Sequence, residues 1–177
     1  MKNKNNTKWI ITIIVMAFTI SLIFSFASEM LLKDAGLILG IILVLIFILL
    51  GMIFDMIGVA VTSADDKPII SMNAKKVKGS TMAVKLIKNS DKVASLCNDV
   101  VGDICGIVSG TAGVAVAASI SSKFSIDIFI VTLFVTATIA ALTIGSKAMG
   151  KGFAIKNSTK IITIFSKILS IFTKKNK

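Results

Sequence analysis

Four long uncharged stretches dominate the chain: residues 9–28 and 35–54, each 20 residues long, and residues 104–122 and 128–146, each 19 long. At about 1.5 Å of rise per helical residue, each can cross a hydrocarbon core of roughly 30 Å. Charged residues separate the stretches, and two of the separations are short, residues 29–34 and 123–127. The pattern predicts an all-α membrane protein whose four transmembrane helices form two hairpins.

The long middle connection, residues 63–92, is polar and lysine-rich but carries Ile69, Ile70, Met72, Val77, Met82, Val84, Leu86 and Ile87. Pro68 and Gly79 divide it. Residues 80–89 predict a short amphipathic helix at the membrane surface, and Ser90 is the expected N-cap of the helix that leads into the third span. In the tail, Ile161, Ile164, Phe165, Ile168, Ile171 and Phe172 recur at helical spacing, opposite Lys160, Thr163, Lys167, Ser170 and Lys174. This predicts a C-terminal interfacial helix, with packing against a partner protein as the alternative. No tract outside the spans predicts a separate core. The organisation expected is a first span with its outer loop (1–34), a three-span membrane domain (35–152) and an amphipathic basic tail (153–177).

Charge orients this arrangement. All twenty basic residues are lysines, against nine acidic residues, for a net charge of +11. Lys2, Lys4 and Lys8 precede the first span, seven lysines from Lys67 to Lys92 lie between the second and third, and eight from Lys147 to Lys177 follow the fourth. Only Lys33 and Lys123 occupy the short connections. The positive-inside rule places both termini and the middle connection in the cytoplasm, in a plasma or inner membrane with anionic headgroups as the lysines' partners. Nucleic acid is then not needed to explain the basic excess. The first span also fits a secretory signal pattern ending at Ser25-Phe26-Ala27, but its apolar run is long for a cleaved signal, which favours a retained span. The lack of arginine and the abundance of Ile, Lys and Asn point to an AT-rich bacterial gene.

The chain is 55% hydrophobic, only 16% charged, and has no histidine. No Walker loop and no serine with a base is present, so an enzyme is not expected. An intramembrane aspartyl protease would need Asp55 and Asp103 in motifs that their flanks lack. Cys97 and Cys105 lie eight residues apart on one predicted helix, about 12 Å and too far for a disulfide, and read as apolar packing groups.

Three acids stand in apolar sequence: Asp55 at the inner end of the second span, and Asp99 and Asp103 where the third begins. Asp99 and Asp103 share a face one turn apart, Asn98 lies beside them, and Thr62 and Ser63 follow Asp55. If the third helix starts near Ile104, the two acids sit at headgroup level and suit a first helical turn. If it starts near Val93, Asp103 lies about 15 Å along the helix, and the three carboxylates could form an oxygen-rich, inward-open site. Hard divalent cations take such ligands, and magnesium would keep much of its water. The candidate metal set is Asp55, Asp99, Asp103, Asn98 and Ser63. Gly102, Gly106 and Gly110, with Gly113 near them, predict a close-packing stripe, and Thr132, Thr136 and Thr143 predict interhelical hydrogen bonds.

The small-residue run Gly58-Val59-Ala60-Val61-Thr62-Ser63 is followed by Met72-Asn73-Ala74-Lys75-Lys76-Val77, then Ala83-Val84-Lys85-Leu86-Ile87, Asn89-Ser90-Asp91-Lys92 and a polar third span. In this order of parts, residues 54–113 resemble the transmembrane domain of the CNNM/CorB magnesium-transporter family. The CBS-pair and C-terminal domains of full-length members are not represented. The resemblance implies a three-span core with a cytoplasmic helical connection and a magnesium pathway. Asp55 stands one turn before the position of the family's embedded glutamate, and Asn98 approximates its asparagine.

The expected function is binding or transport of a divalent cation, magnesium, by a membrane protein that forms a homodimer. Two alternatives stand beside it: a small non-transporting scaffold or accessory subunit, and a pore-forming or holin-like protein.

Overall fold

The computed structural model describes residues 2–32 and 36–174. Lys33 and Asp34 of the first short connection and Lys175 and Lys177 of the tail lie outside the described residues, as do the side chains of residues 2–6 and 172–174. Among the described residues every element is helical: α1 (Lys2–Leu32), α2 (Leu37–Ser63), α3 (Asp66–Ala74), α4 (Ser80–Lys88), α5 (Ser90–Ala94), a π-helical segment (Ser95–Gly102), α6 (Asp103–Phe124), α7 (Ile128–Lys156) and α8 (Ser158–Lys174). Helix α5, the π segment and α6 run on as one rod, Ser90–Phe124, and among the described residues four helices are long and apolar enough to cross a membrane. This is the architecture of a multi-pass membrane protein.

The helices outrun the apolar stretches that predicted them. Within α2, Asp55 is a lone charge among apolar residues and does not end the helix, which continues to Ser63. The third helix begins at Ser90, before both Asp99 and Asp103. Asn89, not Ser90, occupies the position before it, and its side-chain amide closes back on the Lys85 carbonyl at 2.9 Å.

Helices α2, α6 and α7 pack on one another along their lengths, and α1 lies outside them against the π segment and α6. A middle core of Val100, Ile104 and Val108 receives Ile13, Ala17, Ile20 and Phe24 of α1. Towards the short connections, Val44, Ile48, Ala112, Val116 and Ile139 form a second core. Outward residues such as Phe18, Phe129 and Phe134 are exposed, at 70%, 69% and 72%. An apolar exterior around an apolar interior is what a lipid solvent permits.

The second hairpin turns where Ser125 adopts φ 54° and the Ser121 hydroxyl donates to the Ile126 carbonyl at 2.7 Å. Asp127 then caps α7, accepting from the Phe129 and Ile130 amides at 2.8 and 3.3 Å. Thr136 and Thr143 donate to the carbonyls of Thr132 and Ile139 in their own helix, both at 2.7 Å. For Thr136 and Thr143 those bonds correct the expectation of interhelical contacts: a threonine in a helix reaches its own preceding turn more readily than a neighbour.

At the lysine-rich end the middle connection and the tail fold together. Helix α3 starts on Asp65, whose carboxylate accepts from the Lys67 amide at 3.0 Å, with Pro68 in the first turn where its missing N–H costs nothing. Asn73 Oδ1 accepts from both Ser80 and Thr81, at 3.3 and 3.2 Å, and so ties α3 to α4. Gly79 between them has φ 87°, and a Cβ there would lie 3.0 Å from the Lys167 backbone of α8. Ile69, Ala83, Leu86 and Ile162 join Ile57, Ala60, Val61, Cys97 and Ala154 in a third core. The predicted interfacial tail is therefore also a packed element: Ser158, Ile162 and Ser166 are buried, while Ile164, Ile168 and Ile171 remain outward.

Candidate functional site

The site begins with glycine spacing on α2. Gly51, Asp55 and Gly58 recur at four and three residues and so share one stripe of the helix. A Cβ at Gly51 would lie 3.2 Å from Cβ of Cys105 and 3.3 Å from the Gly102 carbonyl, and one at Gly58 would overlap Oδ1 of Asn98. The stripe thus faces the π segment and the start of α6, and it carries Asp55 between the levels of Gly102 and Asn98. The wider π turn, five residues between hydrogen-bonded partners, buries both Cys97 and Gly102 on this side. Such segments often accompany functional sites because they leave side chains in positions a regular helix would not reach.

Asp55 is 4% exposed, and its Oδ2 has no hydrogen-bond partner; Oδ1 of Asn98 is likewise buried and unpartnered. Two buried acceptor oxygens on neighbouring elements therefore stand ready to accept from a donor or to meet a cation. The cation nearest Asp55 is Lys151, whose Nζ lies 3.8 Å from Oδ2, within ion-pair range but too far for a hydrogen bond. One turn earlier on α7, Lys147 Nζ donates to Asp103 Oδ1 at 3.1 Å. Helix α7 therefore supplies lysines four residues apart to carboxylates of two other helices.

The pairs are buried in opposite senses. In the first, the Asp55 side chain is 6% exposed and that of Lys151 53%. In the second, the Lys147 side chain is 18% exposed and that of Asp103 64%. Gly150 holds this part of α7 tightly against α2, since a Cβ there would lie 2.9 Å from Cγ of Met56 and 3.1 Å from Cγ of Met52.

The five candidate ligands are not brought to one point. Asp55 and Asn98 face the interface between α2 and the π segment, whereas Asp99, Asp103 and Ser63 are exposed. Among the described residues no group of three or more His, Cys, Asp or Glu side chains could hold a metal ion. The third helix does start early, at Ser90, and Asp103 stands exposed on the surface of that rod beside Lys147. Asp99 and Asp103 are both exposed, Asp99 within the π segment and Asp103 at the start of α6. Nor is the site open along the axis towards the lysine-rich end, where Ala60, Val61, Ile69, Leu86 and Ile162 form an apolar layer. Thr62 turns back on its own helix, donating to the Val59 carbonyl at 3.0 Å.

No family model, curated protein or solved structure matches this chain.

Sequence reasoning missed Lys147 and Lys151, which charge counting assigns to the polar end of the chain. Their four-residue spacing, which puts both on one face of α7, was the available signal, though it names neither partner. The glycine stripe of α6 divides: Gly102, Gly106 and Gly113 meet neighbouring side chains or backbone, while Gly110 has nothing within 4 Å of a notional Cβ. Cys97 and Cys105 are free and buried as packing groups. A separate cavity of about 790 Å³ opens between α1 and α6, lined by Ser25, Ser28, Glu29 and Thr111 among others. The Ser28 hydroxyl there is buried without a partner.

Proposed function

We propose that the protein binds a divalent cation, magnesium, between Asp55 of α2 and Asn98 of the π segment, as a multi-pass protein of the plasma or inner membrane with both termini cytoplasmic. The observation that carries this reading is the pair of buried, unpartnered acceptor oxygens, Asp55 Oδ2 and Asn98 Oδ1. Magnesium accepts such a sparse set: it keeps several waters and needs only one or two direct oxygen ligands. An ion at this position would give direct contacts to the enclosed carboxylate, which Lys151 faces at 3.8 Å without a hydrogen bond, and to the orphaned amide oxygen. The resemblance of residues 54–113 to the CNNM/CorB membrane domain supports the same elements and the same ion. Asp99 and Asp103, both exposed, would attract cations without ligating at the buried site.

The test is a magnesium titration of the purified chain, following unfolding temperature and binding heat. Wild type should be stabilised and saturate, and D55N and N98A should each lose the response. An unchanged response in the D55N/N98A double variant would remove the proposal.

One observation favours a second reading. Asp55 and Asp103 each already have a lysine, so both could be structural ion pairs locking α7 to α2 and α6 in a non-transporting scaffold. In that case magnesium would leave stability unchanged while either pair's loss would lower it.

A further inference from the structure

The cation proposed for Asp55 has a competitor inside the chain. Lys151 reaches from a half-exposed position to within 3.8 Å of a carboxylate that is otherwise enclosed. We infer that Lys151 is a tethered counter-cation that an incoming divalent ion must displace, so that the lysine sets the affinity of the site. This rests on the cation-binding reading of Asp55.

Three features support it. First, the contact is electrostatic only: at 3.8 Å the ammonium compensates the carboxylate without a hydrogen bond, so releasing it breaks no directional bond. Second, the lysine has somewhere to go. Its side chain is 53% exposed, and a four-carbon stem can carry the ammonium outward by rotamer change. Third, that movement need not disturb the helix, because Gly150 keeps the α7 backbone against Met52 and Met56. Gly152 on the other side has open space around it.

Lys147 differs on each count. It hydrogen-bonds Asp103 at 3.1 Å and is largely buried, and it stays in place as the fixed link between α7 and α6. The two lysines thus divide their tasks.

A like charge within about 4 Å in a partly buried setting opposes a second cation by far more than thermal energy, so its removal has a large effect. The experiment uses the full chain in detergent, with Mg²⁺ alone as the probe. K151M should bind Mg²⁺ at least about tenfold more tightly than wild type, while K151R, which keeps the charge, should stay within about threefold. Adding D55N to K151M should abolish the gain. K151Q replaces K151M if the latter does not fold, and must show the same tightening. Wild type that binds Mg²⁺ with an affinity unchanged or weakened in K151M and K151Q overturns the inference alone. Absence of any Mg²⁺ response in wild type and in both variants overturns the binding reading and the inference with it.

Discussion

The carboxamide of Asn98 lies against the bare backbone of Gly58, so closely that a Cβ at position 58 would overlap both its Oδ1 and Cγ. This contact joins the second and third membrane helices one turn from Asp55, and it makes Gly58 a spacing residue for the candidate site.

Gly58→Ala should therefore destabilise the protein, by about 1–3 kcal/mol, as overpacking a tight interface does. Most of that loss should be absent when Asn98→Ala is already present, because the clash has been removed. Unfolding of the two single variants and the double variant in detergent, analysed as a cycle, measures the coupling. Additive losses would place the strain elsewhere.

The two ion pairs should answer substitution in opposite order. With no divalent ion present, K151M strands the buried Asp55 carboxylate and should cost about 2 kcal/mol or more, exceeding D55N, which leaves only a half-exposed lysine. For the other pair D103N should cost more than K147M, because it strands the largely buried Lys147 while Asp103 can be hydrated where it stands. Chemical unfolding of the four variants gives the ranking directly.

Glycines of the predicted packing stripe should separate by environment. Gly51→Ala, on the facing helix, places a Cβ 3.2 Å from Cβ of Cys105 and 3.3 Å from the Gly102 carbonyl and should be destabilising, whereas Gly102→Ala meets the facing helices only at 3.7 Å and should cost less. Gly110→Ala meets nothing within 4 Å and should be neutral or stabilising by up to about 1 kcal/mol from helix propensity. Thermal unfolding of the three variants checks this.

Gly79→Ala should loosen the tail. The residue has φ 87°, which a side chain rarely tolerates, and its Cβ would press on the Lys167 backbone. Limited trypsin digestion should cut α8 at Lys160 and Lys167 several-fold faster in the variant, with the four long helices still protected.

The helical class and the number of membrane helices were legible in the sequence, because a run of about twenty apolar residues has few other stable destinations. The helix over residues 80–88 and the tail helix were legible too, since their periodicity is local. The cap that α3, α4 and α8 form over the end of α2 was not, because Ile69, Ala83, Leu86 and Ile162 are far apart along the chain and none marks its partner. The same holds for the candidate site. Asp55 and Asn98 stand out as polar residues in apolar surroundings, and sequence alone could name both. Which of the five named oxygen-bearing residues face each other depends on helix rotation, and around residues 95–102 the π turn changes that rotation in a way no residue type announces. Sequence determined what must lie in the membrane, through the cost of exposing apolar surface to water. Only the tertiary structure decided that two lysines turn towards Asp55 and Asp103 and that Asp99 and Asp103 turn away from the core, because charge pairing acts through space between helices that the chain order leaves far apart.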